Sequence, residues 1–479
     1  MISLCVEPEK YYNEIFNLVR QFYPLEDINK EGLKFDLKLN FFIGDESVIM
    51  QYEKEDLVQE RRHYYERDSS IESNERIYHS SLVKKSVKYL LNELDPSFLP
   101  WGVLTGVRPV KIVHSLLDKG MNENEIISRL KFLEISDENI LRMIDITNIQ
   151  RNLVYPLKKD RLSIYIHIPF CPSKCAYCSY NTQVPDELRN NISIFLKTLY
   201  KEFEALFYLI KEFEIDTIYI GGGTPTVLNI EELDIVLKLL SNISKAVREY
   251  TVEAGRPDTI TYDKLKIIKE YGIDRISINP QTMNDATLKR IGRLHTVKDI
   301  KNVFEMARKF DFKTINSDLI IGLEDENLDD IKYTLSEIEK LSPENLTIHT
   351  LSIKRGARYM DNYGKYSFET IQEMMDYSKL FARVNSYKAY YLYRQKNILG
   401  NLENIGYAKE GHESIYNIQM MEERSTILAL GMGGVSKFFF PDENRHESYR
   451  NFNDLKLYVD NIHDSIKIKS EFLKEIIGG

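Results

Sequence analysis

From about Arg161 onward, short runs of β-branched and apolar residues alternate with segments whose apolar positions recur at helical spacing. The strand-like runs cover 162–168, 216–220, 250–254, 274–278, 314–320 and 345–350, and amphipathic segments lie near 188–212, 231–247, 262–271, 297–310, 328–340 and 366–386. This alternation is the signature of βαβ units on a parallel sheet. It predicts an α/β fold, a partial (β/α)6 TIM-like barrel over residues 156–395, with reactive groups at the C-terminal ends of its strands. Residues 1–155 read as a separate α+β accessory domain, with a strand at 1–6, a helix near 8–22, paired strands around 32–53 and helices from about 79 to 152. Residues 396–479 read as a C-terminal extension that mixes a Gly-rich turn, Leu430-Gly-Met-Gly-Gly434, with short helices. Within the first domain, Pro109 fits the first turn of a helix, where its missing N–H costs nothing. The stretch Trp101 to Pro109 holds the only tryptophan and reads as a buried turn between helices.

Composition narrows the function classes. A formal net charge of -9 argues against a nucleic-acid binder that relies on phosphate contacts, and Lys84-Lys85-Ser-Val-Lys88 reads as the solvated face of a helix. No uncharged apolar run approaches the ~18 residues of a membrane span, and the first ten residues lack the pattern of a signal peptide. Four cysteines, three of them clustered, suit a reducing compartment rather than a disulfide framework. A cytoplasmic location is the expectation. Cys5 reads as a small buried hydrophobe.

The clustered cysteines carry the chemistry. Cys171-Pro-Ser-Lys-Cys175-Ala-Tyr-Cys178 directly follows the apolar run Leu162-Ser-Ile-Tyr-Ile-His-Ile-Pro-Phe170. A cubane of four irons and four sulfides takes four outer ligands, so three thiolates leave one iron open. Either a fourth ligand comes from elsewhere, making an electron carrier, or a small molecule binds the open iron. A zinc site fits less well, because nothing nearby has paired zinc-ligand spacing. Three neighbouring features favour a bound small molecule. Gly221-Gly-Gly-Thr-Pro-Thr226 follows a strand and lets backbone approach a ligand closely. Glu253 ends the next strand, Arg293 and His295 lie past the fourth, and Asp318 lies in the fifth. In a barrel these converge, offering carboxylates for hydroxyl or ammonium groups and a guanidinium for a carboxylate. His167 alternates with Tyr165 and faces the same side, whereas His295 and His349 read as packing or bonding locally. Cys5 alone cannot complete a second cubane, so one cluster is the limit.

These residues resemble the radical S-adenosylmethionine (SAM) enzymes. Tyr165-Ile-His-Ile-Pro-Phe-Cys171 narrows the resemblance to the oxygen-independent coproporphyrinogen III dehydrogenase branch. Gly221-Gly-Gly-Thr-Pro-Thr226, Arg275-Ile-Ser-Ile-Asn-Pro-Gln281, Ile291-Gly-Arg-Leu-His-Thr296 and Asn316-Ser-Asp-Leu-Ile-Ile-Gly-Leu323 look like that branch's later motifs, in its order. The stretch from Tyr391 to Tyr407 and the long N-terminal domain look most like its HemZ subgroup. The resemblance implies a radical SAM barrel, one 4Fe-4S cluster held by Cys171, Cys175 and Cys178, and one or two molecules of SAM. It places Tyr165 beside the sulfonium, the backbone of Tyr177 on the adenine, and Gly222, Gly223 and Thr224 along the SAM site. Glu253, Gln281, Arg293, Asp318 and Ser352 would add polar contacts. It further implies oxidative decarboxylation of coproporphyrinogen III propionates to vinyl groups, giving protoporphyrinogen IX in porphyrin and haem biosynthesis. A flavodoxin or ferredoxin would donate electrons, with no nucleic-acid partner and no membrane span.

The chain departs from the best-characterised members of that branch at Tyr180, where they carry a further cysteine. It also has only residues 435–479 after the Gly-rich turn, where they have a helical C-terminal domain. Two rival readings follow: radical SAM chemistry that modifies or degrades haem, and a haem chaperone without decarboxylase activity. Relatives of the chaperone kind carry His-Asn-x-x-Tyr-Trp where this chain has Tyr416-Asn-Ile-Gln-Met-Met421.

Overall fold

The computed structural model describes residues 1–24, 26–30, 35–55, 57–68, 75–178, 189–243, 247–352, 368–395, 398–443 and 445–478. Tyr180 lies outside them. The chain divides into two compact units, one of residues 1–145 with 394–402, the other of residues 146–393 with 403–479.

The first unit is built on a five-stranded sheet of order β2-β1-β3-β4-β5, with β1 Ile2–Glu7, β2 Ile28–Asn29, β3 Leu37–Ile43, β4 Ser47–Lys54 and β5 Leu57–Tyr64. Apolar alternation along β1, β3 and β4 turns Leu4, Leu39, Phe41, Val48 and Met50 into one core with the helices Tyr12–Phe22 and Glu75–Leu94. Cys5 is not buried as the sequence suggested: it occupies an outward position of β1 and is exposed. The lysines of the second helix also differ from expectation. Lys85 and Lys88 keep only 18 % and 14 % of their side chains exposed and pair with Glu134, and burial pulls the Lys84 ammonium below its usual range. The Lys85 ammonium also lies over the Phe132 ring, 4.7 Å from its centre. Trp101 is buried in a turn, and Pro109 directly precedes the helix Val110–Asp118.

The second unit carries an eleven-stranded sheet. Its parallel centre consists of β6 Arg161–Ile168, β7 Glu214–Gly222, β8 Glu249–Gly255, β9 Arg275–Ile278, β10 Thr314–Ile321 and β11 Asn345–Thr350, in sequence order. The helices Arg189–Ile210, Ile230–Leu240, Tyr262–Glu270, Val297–Arg308 and Leu328–Leu341 intervene, each between successive strands. This is the partial TIM-like barrel. In β6, Ile164, Ile166 and Ile168 are fully buried while Tyr165 and His167 alternate with them. Each such isoleucine contributes roughly 1.5–3 kcal/mol through burial, so a one-residue slip of register is strongly opposed.

β12 Lys388–Tyr393 follows the last barrel helix, and four strands not expected from the sequence, β13 Asn404–Ala408, β14 Thr426–Leu430, β15 Val435–Phe440 and β16 Arg445–Arg450, run through residues 396–479 beside the Gly-rich turn and helices. β13 adds antiparallel to β11 and β12 to β13, while β14 adds parallel to β6 with Thr426 opposite Leu162. The unit ends in a helix, Ile462–Gly478, longer than the short helices anticipated. Its Lys469 is fully enclosed against Glu202 of the helix Arg189–Ile210, 2.6 Å away. Glu202 also accepts from the Gly431 N–H, Asn451 and Tyr458.

Candidate active site

The site lies where the barrel strands end, as the backbone of the cysteine loop leaves β6. Cys175 is buried, and Cys171 and Cys178 are half-buried. The loop is tied down by its own backbone and by a neighbouring turn: the Cys178 N–H donates to the Cys175 carbonyl at 3.1 Å, the Ala176 N–H to the Ile291 carbonyl at 3.0 Å, and Ser173 Oγ to the Gly292 carbonyl at 3.0 Å. Among the described residues no three His, Cys, Asp or Glu side chains are grouped closely enough for one metal ion. A cubane distributes its protein ligands over separate irons, which is a wider arrangement.

The triple glycine packs against this loop for steric reasons. A Cβ on Gly223 would stand 2.4 Å from the Phe170 carbonyl oxygen, and the Gly223 N–H donates to the Ile168 carbonyl at 2.7 Å. Gly222 has φ +106°, and a Cβ there would meet the His167 ring at 2.8 Å. Bare backbone thus runs beside the cysteines. Buried Thr224 follows, its Oγ1 3.4 Å from Cys171 Sγ.

Two acids stand further along the strand ends. A Cβ on Gly221 would lie 2.5 Å from Glu253 Oε2, so the missing side chain makes room for the carboxyl. Burial, with Asp318 adding repulsion, pushes Glu253 up to about 8, although the Gly222 N–H donates to it at 3.4 Å. Burial acts on Asp318 in the same sense, but His349, Asn316 and Thr347 outweigh it and hold its carboxyl below the usual range. Asn316 Nδ2 donates to it at 2.8 Å, and His349 Nε2 lies 3.9 Å away. The two carboxyls therefore carry different charge near neutrality. Buried Gln281, with φ +70°, donates its N–H to the Asp318 carbonyl at 3.0 Å.

Arg293 is buried next to the cysteines. Its Nη2 donates to Tyr177 Oη at 2.8 Å, while Nε and Nη1 are buried with no hydrogen-bond partner among the described residues. Burial opposes its charge, but Tyr177 and Cys175 raise it above the usual arginine range. Tyr177 is in turn pushed upward by burial.

Tyr165 Oη and His167 Nδ1 are 3.0 Å apart, and burial, reinforced by Arg450, lowers His167 to about 4, so its ring is neutral at neutral pH. The Tyr165 ring lies near those of Tyr219 and Tyr416, which stack on each other at 4.4 Å. Ser352 is half-buried just past β11. The strand-end residues thus gather by topology, with Ser352 placed by its position after the last parallel strand.

Sequence reasoning missed Arg256, Asp258, Tyr219 and Tyr416. Arg256 Nη1 donates to the Ser173 carbonyl and hydroxyl at 3.1 and 2.8 Å and to Cys175 Sγ at 3.7 Å. Asp258 holds the other edge of the same guanidinium and approaches His295 Nδ1 at 3.3 Å. The available signal was Gly255-Arg-Pro-Asp258 at a strand end.

A family model for the radical SAM superfamily matches residues 165–338. The oxygen-independent coproporphyrinogen-III oxidase-like protein HemZ of Bacillus subtilis is 43% identical over 388 residues, covering 78% of this chain and 77% of that protein. The heme chaperone HemW of the same organism is 35% identical over 200 residues, 40% of this chain and 51% of that protein. Among solved structures, the radical SAM coproporphyrinogen III oxidase HemN of Escherichia coli aligns with a TM-score of 0.52 at 22% identity, over 67% of this chain and 73% of that one. This structural likeness concerns the fold.

Proposed function

This chain belongs to the oxygen-independent coproporphyrinogen-III oxidase-like family within the radical SAM superfamily, whose members use a 4Fe-4S cluster and SAM, and on that premise we propose that it decarboxylates the propionates of coproporphyrinogen III to vinyl groups. The observation that carries the SAM site is Arg293, a buried guanidinium beside the cysteine loop with two nitrogens that have no partner among the described residues. Such a group favours an anionic ligand. The similarity to HemZ over most of both chains supports the tetrapyrrole substrate.

In this reading Cys171, Cys175 and Cys178 hold the cluster, which fits a loop supplying three thiols and no fourth. When bound, cluster and SAM supply the one-electron chemistry and the hydrogen-abstracting species. The chain's residues orient and shield. Arg293 takes the SAM carboxylate, and the bare backbone at Gly222 and Gly223, with Thr224, lets SAM lie against the strand ends. The Tyr177 backbone reads the adenine. Glu253, Gln281, Asp318 and Ser352 offer hydrogen bonds to ribose and amino groups of one SAM or two. Protonated Glu253 serves as a donor near neutrality while ionised Asp318 accepts. Tyr165 and neutral His167, backed by the tyrosine stack, would form one wall of the site and help exclude water from it. Each propionate would lose a β-hydrogen atom, then carbon dioxide and one electron, the electron passing to an external acceptor. A flavodoxin or ferredoxin would reduce the cluster. No helix among the described residues is long and apolar enough to cross a membrane.

A second reading, a haem chaperone, is favoured by the HemW similarity. One experiment separates them: anaerobic incubation of the reconstituted protein with coproporphyrinogen III, SAM and dithionite, followed by mass spectrometry. Loss of two carboxyl groups per tetrapyrrole is expected. Tight stoichiometric haem binding without deoxyadenosine formation would instead establish the chaperone.

A further inference from the structure

We infer that Arg256 tunes the reduction potential of the iron–sulfur centre through a charged hydrogen bond to Cys175, held in place by Asp258 and His295. The inference rests on the reading that Cys171, Cys175 and Cys178 ligate the cluster. Arg256 follows β8, three residues past Glu253, and is 3% exposed. Its guanidinium is divided between two tasks. Nε and Nη2 donate to the two carboxylate oxygens of Asp258 at 3.1 and 2.9 Å, a bidentate fork. On the opposite edge, Nη1 reaches the Ser173 carbonyl, the Ser173 hydroxyl and Cys175 Sγ. The Arg256 backbone is fixed as well, because the N–H and hydroxyl of Thr259 both donate to its carbonyl, at 3.0 and 2.9 Å.

Asp258 is itself fixed. Its side chain is 15% exposed and lies 3.3 Å from His295 Nδ1, whose ring is fully enclosed. Burial opposes the Asp258 charge, but His295 and Arg256 outweigh it and keep the carboxylate well below its usual range. The chain His295–Asp258–Arg256–Cys175 therefore runs from the turn just before the helix Val297–Arg308, through the turn after β8, to the middle cysteine. It resembles in kind the outer-shell contacts that orient metal ligands elsewhere.

An electron added to a cubane spreads over its irons and sulfurs, and hydrogen bonds to those sulfurs are among the determinants of its potential. A cationic donor at a ligating sulfur stabilises the reduced, more negative state. Enclosure keeps water and salt from screening it. Lysine cannot copy this geometry, since it has no second edge with which to grip Asp258. Arg293 has a different place, turned to Tyr177 with two nitrogens left for a ligand.

The test is an EPR-monitored redox titration of the reconstituted, SAM-free holoprotein, comparing wild type with Arg256→Gln, Arg256→Lys and the surface control Arg445→Gln. In Arg256→Gln the reduced form should be disfavoured about tenfold, a fall of ~59 mV for a one-electron couple, with Arg256→Lys intermediate and Arg445→Gln at the wild-type midpoint. Iron retained only in Arg256→Lys, at a lowered midpoint, would support the same assignment. A wild-type midpoint in Arg256→Gln, or an equal shift in Arg445→Gln, would overturn it. So would variants that are folded by circular dichroism yet take up no iron at either substitution, because the contact would then serve assembly alone. Wild-type protein that takes up no cluster would overturn the underlying ligand reading, and the inference with it.

Discussion

Glu253 shows how one carboxyl can be pushed out of its ordinary range by position alone. Its folded value of about 8 exceeds the usual 4.5 because burial and Asp318 both penalise its charge. Between those two values the native state keeps a proton that the unfolded chain releases, so stability falls as pH rises through that window. Glu253→Gln cannot ionise and should escape the loss. Urea denaturation of the SAM-free protein is expected to show the variant gaining on wild type from pH 5 to pH 8.5, by on the order of 3–5 kcal/mol for a shift of this size; parallel pH profiles would remove Glu253 as the source. The cysteines, the glycines and Glu253 were legible in the sequence because their chemistry or spacing is unusual. Arg256 and Asp258 were not, since an arginine and an aspartate two residues apart are common on any surface and only the fold brings them to Cys175. Cys5 was misread for a similar reason. Whether a strand residue points inward depends on register, and the short run Ile2–Glu7 admits either face.

At the scale of elements, the C-terminal helix is anchored by one enclosed charge pair. Lys469 Nζ donates to Glu202 and to the Ala429 carbonyl, both at 2.6 Å, and burial pulls the ammonium below its usual range. Removing one member of such a pair strands the other, at a cost of ~3–5 kcal/mol. Lys469→Met should lose that much in chemical denaturation, and the double variant with Glu202→Gln should recover a large part, giving a coupling of ~0.5–3 kcal/mol. Strictly additive losses would show that the two side chains do not stabilise each other. The barrel strands were legible because buried isoleucines and valines run together between amphipathic helices. The outer strands were hidden for physical reasons. β5 is exposed on both faces and reads as polar loop, β16 is polar throughout, with even its half-buried positions including Arg445 and Glu447, and β14 is a five-residue apolar run that strand and buried helix share equally.

Over the whole molecule, cysteine placement limits the metal content. Cys5 sits exposed in the first unit, and the trio belongs to the second. Anaerobic reconstitution should therefore load about four irons per chain, unchanged in Cys5→Ser and largely lost in Cys175→Ser; iron well above this in wild type, or a drop in Cys5→Ser, would refute a single cluster. The division into units was only partly legible, since residues 394–402 group with the N-terminal segment despite their distance along the chain. β6, which delivers the cysteine loop, borders β14, whose Thr426 faces Leu162. A strand translated early thus waits for a neighbour translated late. A chain cut short of Thr426 would leave the cysteine-bearing strand flanked by β7 alone, and its cradle for iron half-built.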